Sequence, residues 1–195
     1  AELEADFSGF YQGVKEVLKA KNEKLKGIYG AIAELIQVPK GYELAIETAL
    51  SGGMQSIVVS DEAAARAAID FLKKNQYGRA TFLPLNTIKE RRLNEAQKRL
   101  VENHPSFIGE AIDLVSFDAK FDAAISSQLG TIVIAKDLKG ANDIAKTLSH
   151  RCRIVTIEGD VVNVGGSMTG GATKKSGSTI FSRKVEIEEL KEKIA

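Results

Sequence analysis

The stretch GAIAELIQVPKGYELAIETAL, residues Gly30–Leu50, decides the fold because the chain contains a second version of it. It aligns without gaps on GEAIDLVSFDAKFDAAISSQL, residues Gly109–Leu129. An internal repeat of this kind predicts two related structural units. The identical positions are Gly30/Gly109, Leu35/Leu114, Ala45/Ala124, Ile46/Ile125 and Leu50/Leu129.

Each copy is followed by the same succession of an apolar strand, a helix and a second strand. Asp61 and Asp137 precede the two helices and suit N-caps, because an aspartate side chain accepts hydrogen bonds from the first free amides of a helix. The pattern predicts an α/β fold of two pseudo-symmetric subdomains with small, mostly buried sheets flanked by helices. The predicted elements are strands 56–59 and 131–134, helices 61–75 and 137–149, and strands 80–83 and 153–157.

Smaller features complete this prediction. Glu34 and Asp113 are matching acids that alternate with apolar residues, so we expect both on strands. Glu158-Gly159-Asp160 reads as a tight turn between strands 154–157 and 161–164. The predicted segments are an N-terminal stub 1–27, subdomain I 28–87, a helical linker 88–107, subdomain II 108–181 and a C-terminal stub 182–195.

Both ends of the chain have helical periodicity. Leu3, Phe7, Phe10, Val14 and Leu18 recur at spacings of three and four, and so do Ile187, Leu190 and Ile194. We expect coiled-coil stubs cut from a longer chain, although the C-terminal seam covers barely one heptad. Two ordinary amphipathic surface helices remain the alternative.

Composition limits the classes of function. The chain has 195 residues, 44% hydrophobic and 27% charged, which is typical of a soluble globular protein. No segment approaches the roughly 20 apolar residues that span a bilayer, so we expect no membrane partner. Cys152 is the only cysteine, which fits a reducing cytoplasm. The formal net charge is +1, so any site for nucleic acid must be local.

The glycine-rich stretch NVGGSMTGGATKKSGS, residues Asn163–Ser178, has three readings: a phosphate loop, turns within the chain, or a contact with another chain. Gly166 and Gly171 have the Walker A spacing, but Ala172 stands where the lysine must be. A nucleophile elbow fails because Thr169 replaces its last glycine. Leu50–Gln55, LSGGMQ, looks like the signature of ABC-type ATPases, yet no Walker sequence accompanies it.

Metal and catalytic sites are not indicated either. His104 and His150 are far apart in sequence, and His150 with Cys152 supplies only two ligands. No nucleophile, base and orienting group occur together. We therefore expect no catalytic residue, no metal, no cofactor and no small-molecule substrate.

Four motifs resemble the hinge domain of bacterial SMC (structural maintenance of chromosomes) proteins, in the same order. They are Gly41–Leu50 leading to Gly52-Gly53, Phe82–Leu85, Ile108–Val115 and GDVVNVGGSMTGG at Gly159–Gly171. The resemblance implies a non-catalytic homodimerisation hinge that joins two coiled-coil arms in chromosome condensation and segregation. ATP hydrolysis would belong to a head domain elsewhere, and the location would be cytoplasmic, at the nucleoid.

In such hinges a strand of one protomer extends the sheet of the other at two equivalent contacts, and the glycine signature lies there. An edge strand has free backbone groups that a second chain can pair. The implied interface residues are Gly165, Gly166, Gly170, Gly171, Val162 and Val164. We expect alanine at the four glycines to give folded monomers.

The resemblance also implies non-specific, salt-sensitive DNA binding near the hinge–coil junction, because lysines neutralise phosphates without reading sequence. No aromatic residue interleaves with the lysines in sequence, and solvated helix ends remain the plain alternative. A nucleotide- or anion-binding α/β domain that uses the glycine loop is the alternative function. The candidate DNA contacts are Lys73, Lys74, Lys174, Lys175, Arg183 and Lys184.

Overall fold

The computed structural model describes residues 9–172 and 180–194. Its helices are α1 Gln12–Ala20, α2 Ile32–Leu35, α3 Glu43–Leu50, α4 Glu62–Asn75, α5 Glu95–Val101, α6 Asp122–Leu129, α7 Leu138–Thr147 and α8 Ile180–Ile194. Its strands are β1 Ile28–Ala31, β2 Ile57–Val59, β3 Phe82–Pro84, β4 Phe107–Glu110, β5 Val133–Ala135, β6 Ile154–Thr156, β7 Val161–Val162 and β8 Met168–Thr169. None of the helices in these described ranges has the length and apolarity that crossing a membrane requires.

Contacts within the chain define two compact units. Both predicted subdomains contribute chain to both units, because the segment 37–51 of the first repeat belongs to the second unit and 117–125 of the second repeat belongs to the first. Unit 1 comprises Ala1–Ile36, Gly52–Glu90 and Phe117–Ile125, and unit 2 comprises Gln37–Ser51, Arg91–Ser116 and Ser126–Ala195.

Unit 1 is built on a three-stranded sheet in the order β1-β2-β3. The central strand β2 pairs antiparallel with β1 and parallel with β3, and all three of its residues are fully buried. Helix α4 covers this sheet with Ala65, Ala68 and Leu72, and α1 packs against α4 and β1. The predicted N-cap is confirmed, since Asp61 Oδ1 accepts a hydrogen bond from Ala64 N at 2.8 Å.

Unit 2 repeats this arrangement and adds a hairpin. Strands β4, β5 and β6 pair as β1, β2 and β3 do, and β7 and β8 extend the sheet to the order β4-β5-β6-β7-β8. The irregularity in the first antiparallel pair occurs at the same repeat position, Gly30 in unit 1 and Gly109 in unit 2. Asp137 caps α7 through Gly140 N at 2.7 Å, as predicted. The repeat therefore extends to strand pairing and helix capping.

Helix α3 is anchored within unit 2. It packs against β6 and α8, and the Arg153 guanidinium donates to the carbonyl oxygen of Ala49 at 3.1 Å near the C-terminal end of α3. Burial lowers the pKa of Arg153 from its ordinary value. A cation at this position satisfies one of the carbonyls that a helix leaves free at its C-terminus.

Three local predictions were wrong in detail. Glu34 and Asp113 lie in a short helix and a 3-10 turn rather than on strands; Glu34 Oε1 accepts from Ala31 N at 2.9 Å and stabilises its turn. Of the predicted helical linker 88–107, only α5 is an α-helix. It begins at Glu95 because Asn94 and Gln97 form a capping box there. Val14 and Leu18 are buried on α1, but Phe10, although buried, lies before this helix, which begins only at Gln12. Leu3 and Phe7 lie outside the described residues.

Helix α8 matches the predicted C-terminal helix. The seam residues Ile187, Leu190 and Ile194 are exposed on it, and Phe181 is buried at its start. Lys40 Nζ lies 3.6 Å from Glu189 Oε1, an exposed pair that contributes little to stability.

Glu110 makes stability depend on pH. Burial, followed by the negative charge of Asp113, raises the pKa of Glu110 above its ordinary 4.5. A carboxyl whose pKa is higher in the folded state favours folding when protonated, so this contribution is present below pH 4.5 and is lost as pH rises through the raised pKa. We expect Glu110→Gln to raise the unfolding midpoint in urea at pH 8.

The same substitution should give a smaller change at pH 4, where Glu110 already holds its proton in the folded chain. Glu90→Gln removes the same charge from an exposed position and is the control. Equal stabilisation by the two variants at pH 8 would show that net charge, rather than the surroundings of Glu110, is responsible.

Candidate functional site

The glycine signature forms the β7–β8 hairpin at the end of the unit 2 sheet. The two strands pair antiparallel, with Val161 opposite Thr169 and Val162 opposite Met168. Asn163 N donates to Ser167 O at 2.7 Å across the turn, and Gly166 N donates to Asn163 O at 2.9 Å. No strand pairs beyond β8 in the described part of the chain. The sequence did not predict β8, since its two residues are too few for a periodicity signal.

The pairing register determines which backbone groups of β8 face outward. In an antiparallel ladder, pairs that exchange hydrogen bonds alternate with pairs that do not. The bond from Asn163 to Ser167 makes that pair a bonded one, so Val162 and Met168 form a non-bonded pair. The N–H and C=O of Met168 therefore point away from β7, towards the open edge of the sheet.

The glycines have structural reasons within the chain itself. Gly165, Gly166 and Gly171 have φ of 89°, 101° and 131°, which L-residues with a Cβ rarely adopt. Gly170 is close to the turn before β7, where an added Cβ would lie 2.3 Å from Asp160 Oδ1. These glycines therefore serve turns within the chain. Among the described residues, an added Cβ at Gly165 or Gly171 meets no atom within 4 Å beyond its chain neighbours.

Two residues that the sequence analysis missed hold the hairpin. His150 O accepts from Gly165 N at 2.9 Å, and Ser149 and His150 both have positive φ at the end of α7. Asp160 Oδ1 accepts from Gly171 N at 3.3 Å, while Asp160 N donates to Thr156 Oγ1 at 3.0 Å. Asp160 lies in the turn predicted from the sequence, and an aspartate at a turn is a sequence signal for a side chain that bonds nearby backbone amides. Nothing in the sequence links His150 to Gly165.

These contacts argue against a phosphate loop. A phosphate cradle needs several free backbone amides. Here the amides of Gly165, Gly166 and Gly171 already donate to His150, Asn163 and Asp160. The Asp160 carboxylate would in addition repel an anion at this place.

The side chains of the hairpin differ in burial by strand, since those of β7 are buried and those of β8 and of Val164 are exposed. Val162 is 0% exposed and belongs to the buried cluster of unit 2, so its side chain is not available to a second chain. Val164 is 59% exposed and Met168 is 51% exposed. The apolar surface at the free edge is therefore formed by Val164 and Met168, and Met168 replaces Val162 as a candidate contact.

The candidate DNA contacts are only partly described. Lys73 and Lys74 are exposed in the last turn of α4. Phe71 and Tyr77 lie at the same helix end with ring centroids 5.6 Å apart, and Tyr77 N donates to Leu72 O. This pair closes the helix C-terminus. Lys174 and Lys175 lie outside the described residues, as do the side chains of Arg183 and Lys184 in α8.

Within residues 9–172 and 180–194, no group of three or more His, Cys, Asp or Glu side chains could hold a metal ion. His104 Nδ1 accepts from Ser106 N at 3.0 Å, and His104 Nε2 lies 3.8 Å from Asp143 Oδ2. Cys152 is buried in the unit 2 core, and burial raises the pKa of its thiol. These contacts give the histidine and the cysteine structural roles.

Comparisons with known proteins agree with this fold. A family model for the flexible hinge domain of SMC proteins matches residues 25–145. The Chromosome partition protein Smc of Bacillus subtilis (strain 168) is 53% identical over 193 residues, which cover 99% of this chain and 16% of that protein. The corresponding protein of Halothermothrix orenii is 42% identical, over 99% of this chain and 16% of its own length.

A solved structure also matches this chain in three dimensions. An asymmetric dimer of the Geobacillus stearothermophilus SMC hinge domain matches with a TM-score of 0.91 and 54% identity, over 98% of this chain and 76% of that one. The chain belongs to the SMC hinge domain family. It spans about a sixth of the length of the curated relatives it matches.

Gly170 provides a test of the intrachain contact. We expect Gly170→Ala to lower the free energy of unfolding by about 0.5–1.5 kcal/mol, because its Cβ would displace the Asp160 carboxylate from its hydrogen bond with Gly171 N. Gly52→Ala is the matched control, since a Cβ there meets no described residue within 4 Å beyond its chain neighbours. Urea denaturation measures both. Equal stability of the two variants would contradict the close approach to Asp160.

Proposed function

We propose that this chain is the homodimerisation hinge of an SMC protein that partitions chromosomes, located in the cytoplasm at the nucleoid. The observation that carries the proposal is the open edge of β8, where outward backbone groups adjoin the exposed side chains of Val164 and Met168. Unpaired edge groups and apolar surface together favour addition of a strand from another chain. The dimer named for the Geobacillus hinge supports this reading.

The repeat suggests which strand of the second copy pairs with β8. Strand β3 is the counterpart of β6, and β6 is covered by β7 on its far side. In the described residues of unit 1, no strand occupies the equivalent position beside β3. We propose that β8 of one copy and β3 of its partner pair there, so that two equivalent contacts form in a two-fold dimer.

The backbone of β3 is suited to this pairing. Ile57 N donates to Thr81 O and Leu85 N donates to Val59 O, each at 2.9 Å. The intervening residues Phe82 and Pro84 therefore direct their backbone groups away from β2. Proline is tolerated at an edge because its missing N–H lies on the outer side. Phe82 N and the Phe82 carbonyl oxygen remain for a partner strand, whereas the Pro84 carbonyl oxygen already accepts from Thr87 N at 3.1 Å and Ile88 N at 2.8 Å.

Alanine at the four glycines does not test the dimer contact alone, because those glycines also shape the hairpin. Met168→Pro removes an outward N–H without removing a bond to β7. We expect this variant to sediment as a folded monomer at micromolar concentration, where the unmodified chain sediments as a dimer. Analytical ultracentrifugation measures the masses, and circular dichroism checks the fold.

Met168→Ala is the control, since it shortens the side chain and keeps the backbone donor. This variant should stay dimeric at micromolar concentration and dissociate only at lower concentrations. If Met168→Pro and Met168→Ala dimerise with equal affinity, pairing through β8 is excluded.

We also propose that Lys73 and Lys74 contact DNA phosphates. Both lysines are exposed at the end of α4, and neither forms an ion pair with another described residue. Such contacts release counterions and carry no sequence information. Lys174, Lys175, Arg183 and Lys184 stay in this proposal on the family resemblance alone. ATP hydrolysis is assigned to a different part of the full-length protein.

We expect Lys73→Glu/Lys74→Glu to weaken DNA binding by about tenfold or more at 50 mM salt, because two attractive charges become repulsive. Fluorescence anisotropy with a labelled oligonucleotide measures the affinity. Lys136→Glu/Lys139→Glu makes the same change in net charge at exposed positions of unit 2 and is the control. An equal loss in both variants would mean that only net charge matters.

A further inference from the structure

A polar recess in unit 1 lies outside the hinge features described so far. Its volume is about 280 Å³. It adjoins the segment between α4 and β3, and it includes part of the Leu50–Gln55 stretch that no function above uses. The polar lining residues are Tyr11, Gln55, Ser56, Arg79 and Thr81.

The walls of this recess are held by contacts within unit 1. Tyr11 N donates to Gln55 Oε1 at 2.7 Å, and Gln55 Nε2 donates to Gly9 O at 3.4 Å. Gly13 brings α1 close to the opposite wall, since a Cβ there would lie 2.6 Å from the carbonyl oxygen of Arg79. Gln55 is 8% exposed, so its amide is committed to this framework. The recess is therefore preformed rather than a loose surface hollow.

The chemistry of the lining favours an anion. Arg79 is exposed, and no carboxylate pairs with it in the part of the chain that the structure describes. No acidic residue is among the described lining residues. The hydroxyls of Ser56 and Thr81 can donate hydrogen bonds, and Ser56 is 5% exposed. A guanidinium and hydroxyl donors that line one recess are the kinds of group that bind phosphate.

We propose that this recess binds one phosphate group of a nucleic acid strand, through the Arg79 guanidinium and the hydroxyls of Ser56 and Thr81. The inference rests on the proposed DNA contact and deepens it. Arg79 follows Lys73-Lys74 by a few residues in the same unit, so the lysines hold flanking phosphates non-specifically while the recess holds one phosphate in a fixed place. Arg79 contributes charge, and Thr81 contributes a neutral hydrogen bond.

The test separates these contributions by their dependence on salt. We expect Arg79→Gln to weaken binding of a labelled oligonucleotide about three- to tenfold and to reduce the slope of log K against log salt by about one. Thr81→Val should weaken binding while leaving the slope unchanged, because no charge is lost. Arg66→Gln removes an exposed arginine of α4 that does not line the recess and is the control.

The type of phosphate is distinguished with two oligonucleotides of one sequence, with and without a 5′-phosphate. An Arg79→Gln effect confined to the phosphorylated strand assigns the recess to a terminal monoester, and an equal effect on both assigns it to a backbone diester. If Arg79→Gln changes affinity and slope no more than Arg66→Gln, the recess proposal is overturned.

A second measurement is independent of DNA. Titration with inorganic phosphate, followed by amide NMR, should shift the Ser56 and Thr81 signals in the unmodified chain and not in Arg79→Gln. Failure of DNA binding with retained phosphate shifts would remove the DNA proposal and keep the recess. Loss of the lysine effect alone would leave Arg79 as the contact. Absent phosphate shifts together with an unchanged salt slope would reject the recess.

Discussion

The need to pair every buried backbone N–H and C=O group governs this structure. Strands β2, β5 and β6 are fully or almost fully buried, so their polar backbone groups must be paired by neighbouring strands. Each unit meets this need with one antiparallel and one parallel neighbour around its central strand. In unit 2 the hairpin β7–β8 covers β6 and moves the unpaired edge outward to Met168. The proposed assembly follows from where this pairing stops.

The glycine signature has two roles that the sequence presents as one. Positive φ at Gly165, Gly166 and Gly171, and the close approach of Gly170 to Asp160, are requirements of the hairpin itself. A hairpin shaped in this way presents a short strand with a bare edge. Glycine therefore matters for a second chain first of all because it shapes the edge. No described residue beyond the chain neighbours lies within 4 Å of a Cβ at Gly165 or Gly171, which favours the approach of another backbone.

Much of the fold was predictable because its signals are local or repeated. The apolar strands, the N-caps Asp61 and Asp137, and the C-terminal helix follow from periodicity and capping, and the structure confirms them. The exchange of segments between the repeats was not predictable, since similar apolar helices can pack on either sheet. Strand β8 was missed because two residues carry no periodicity, and Val162 was placed at an interface although the hairpin buries it in the core.

By itself, the sequence determined two repeated α/β units, the absence of a Walker lysine at Ala172 and the family resemblance, because each depends on residue type and spacing along the chain. Tertiary structure decided which glycine amides are occupied, which backbone groups of Met168 face outward, and that Arg79, Ser56 and Thr81 line one recess. Those properties depend on strand register and on contacts between distant segments. No local pattern of residues encodes them, because register and long-range packing are set by the whole core.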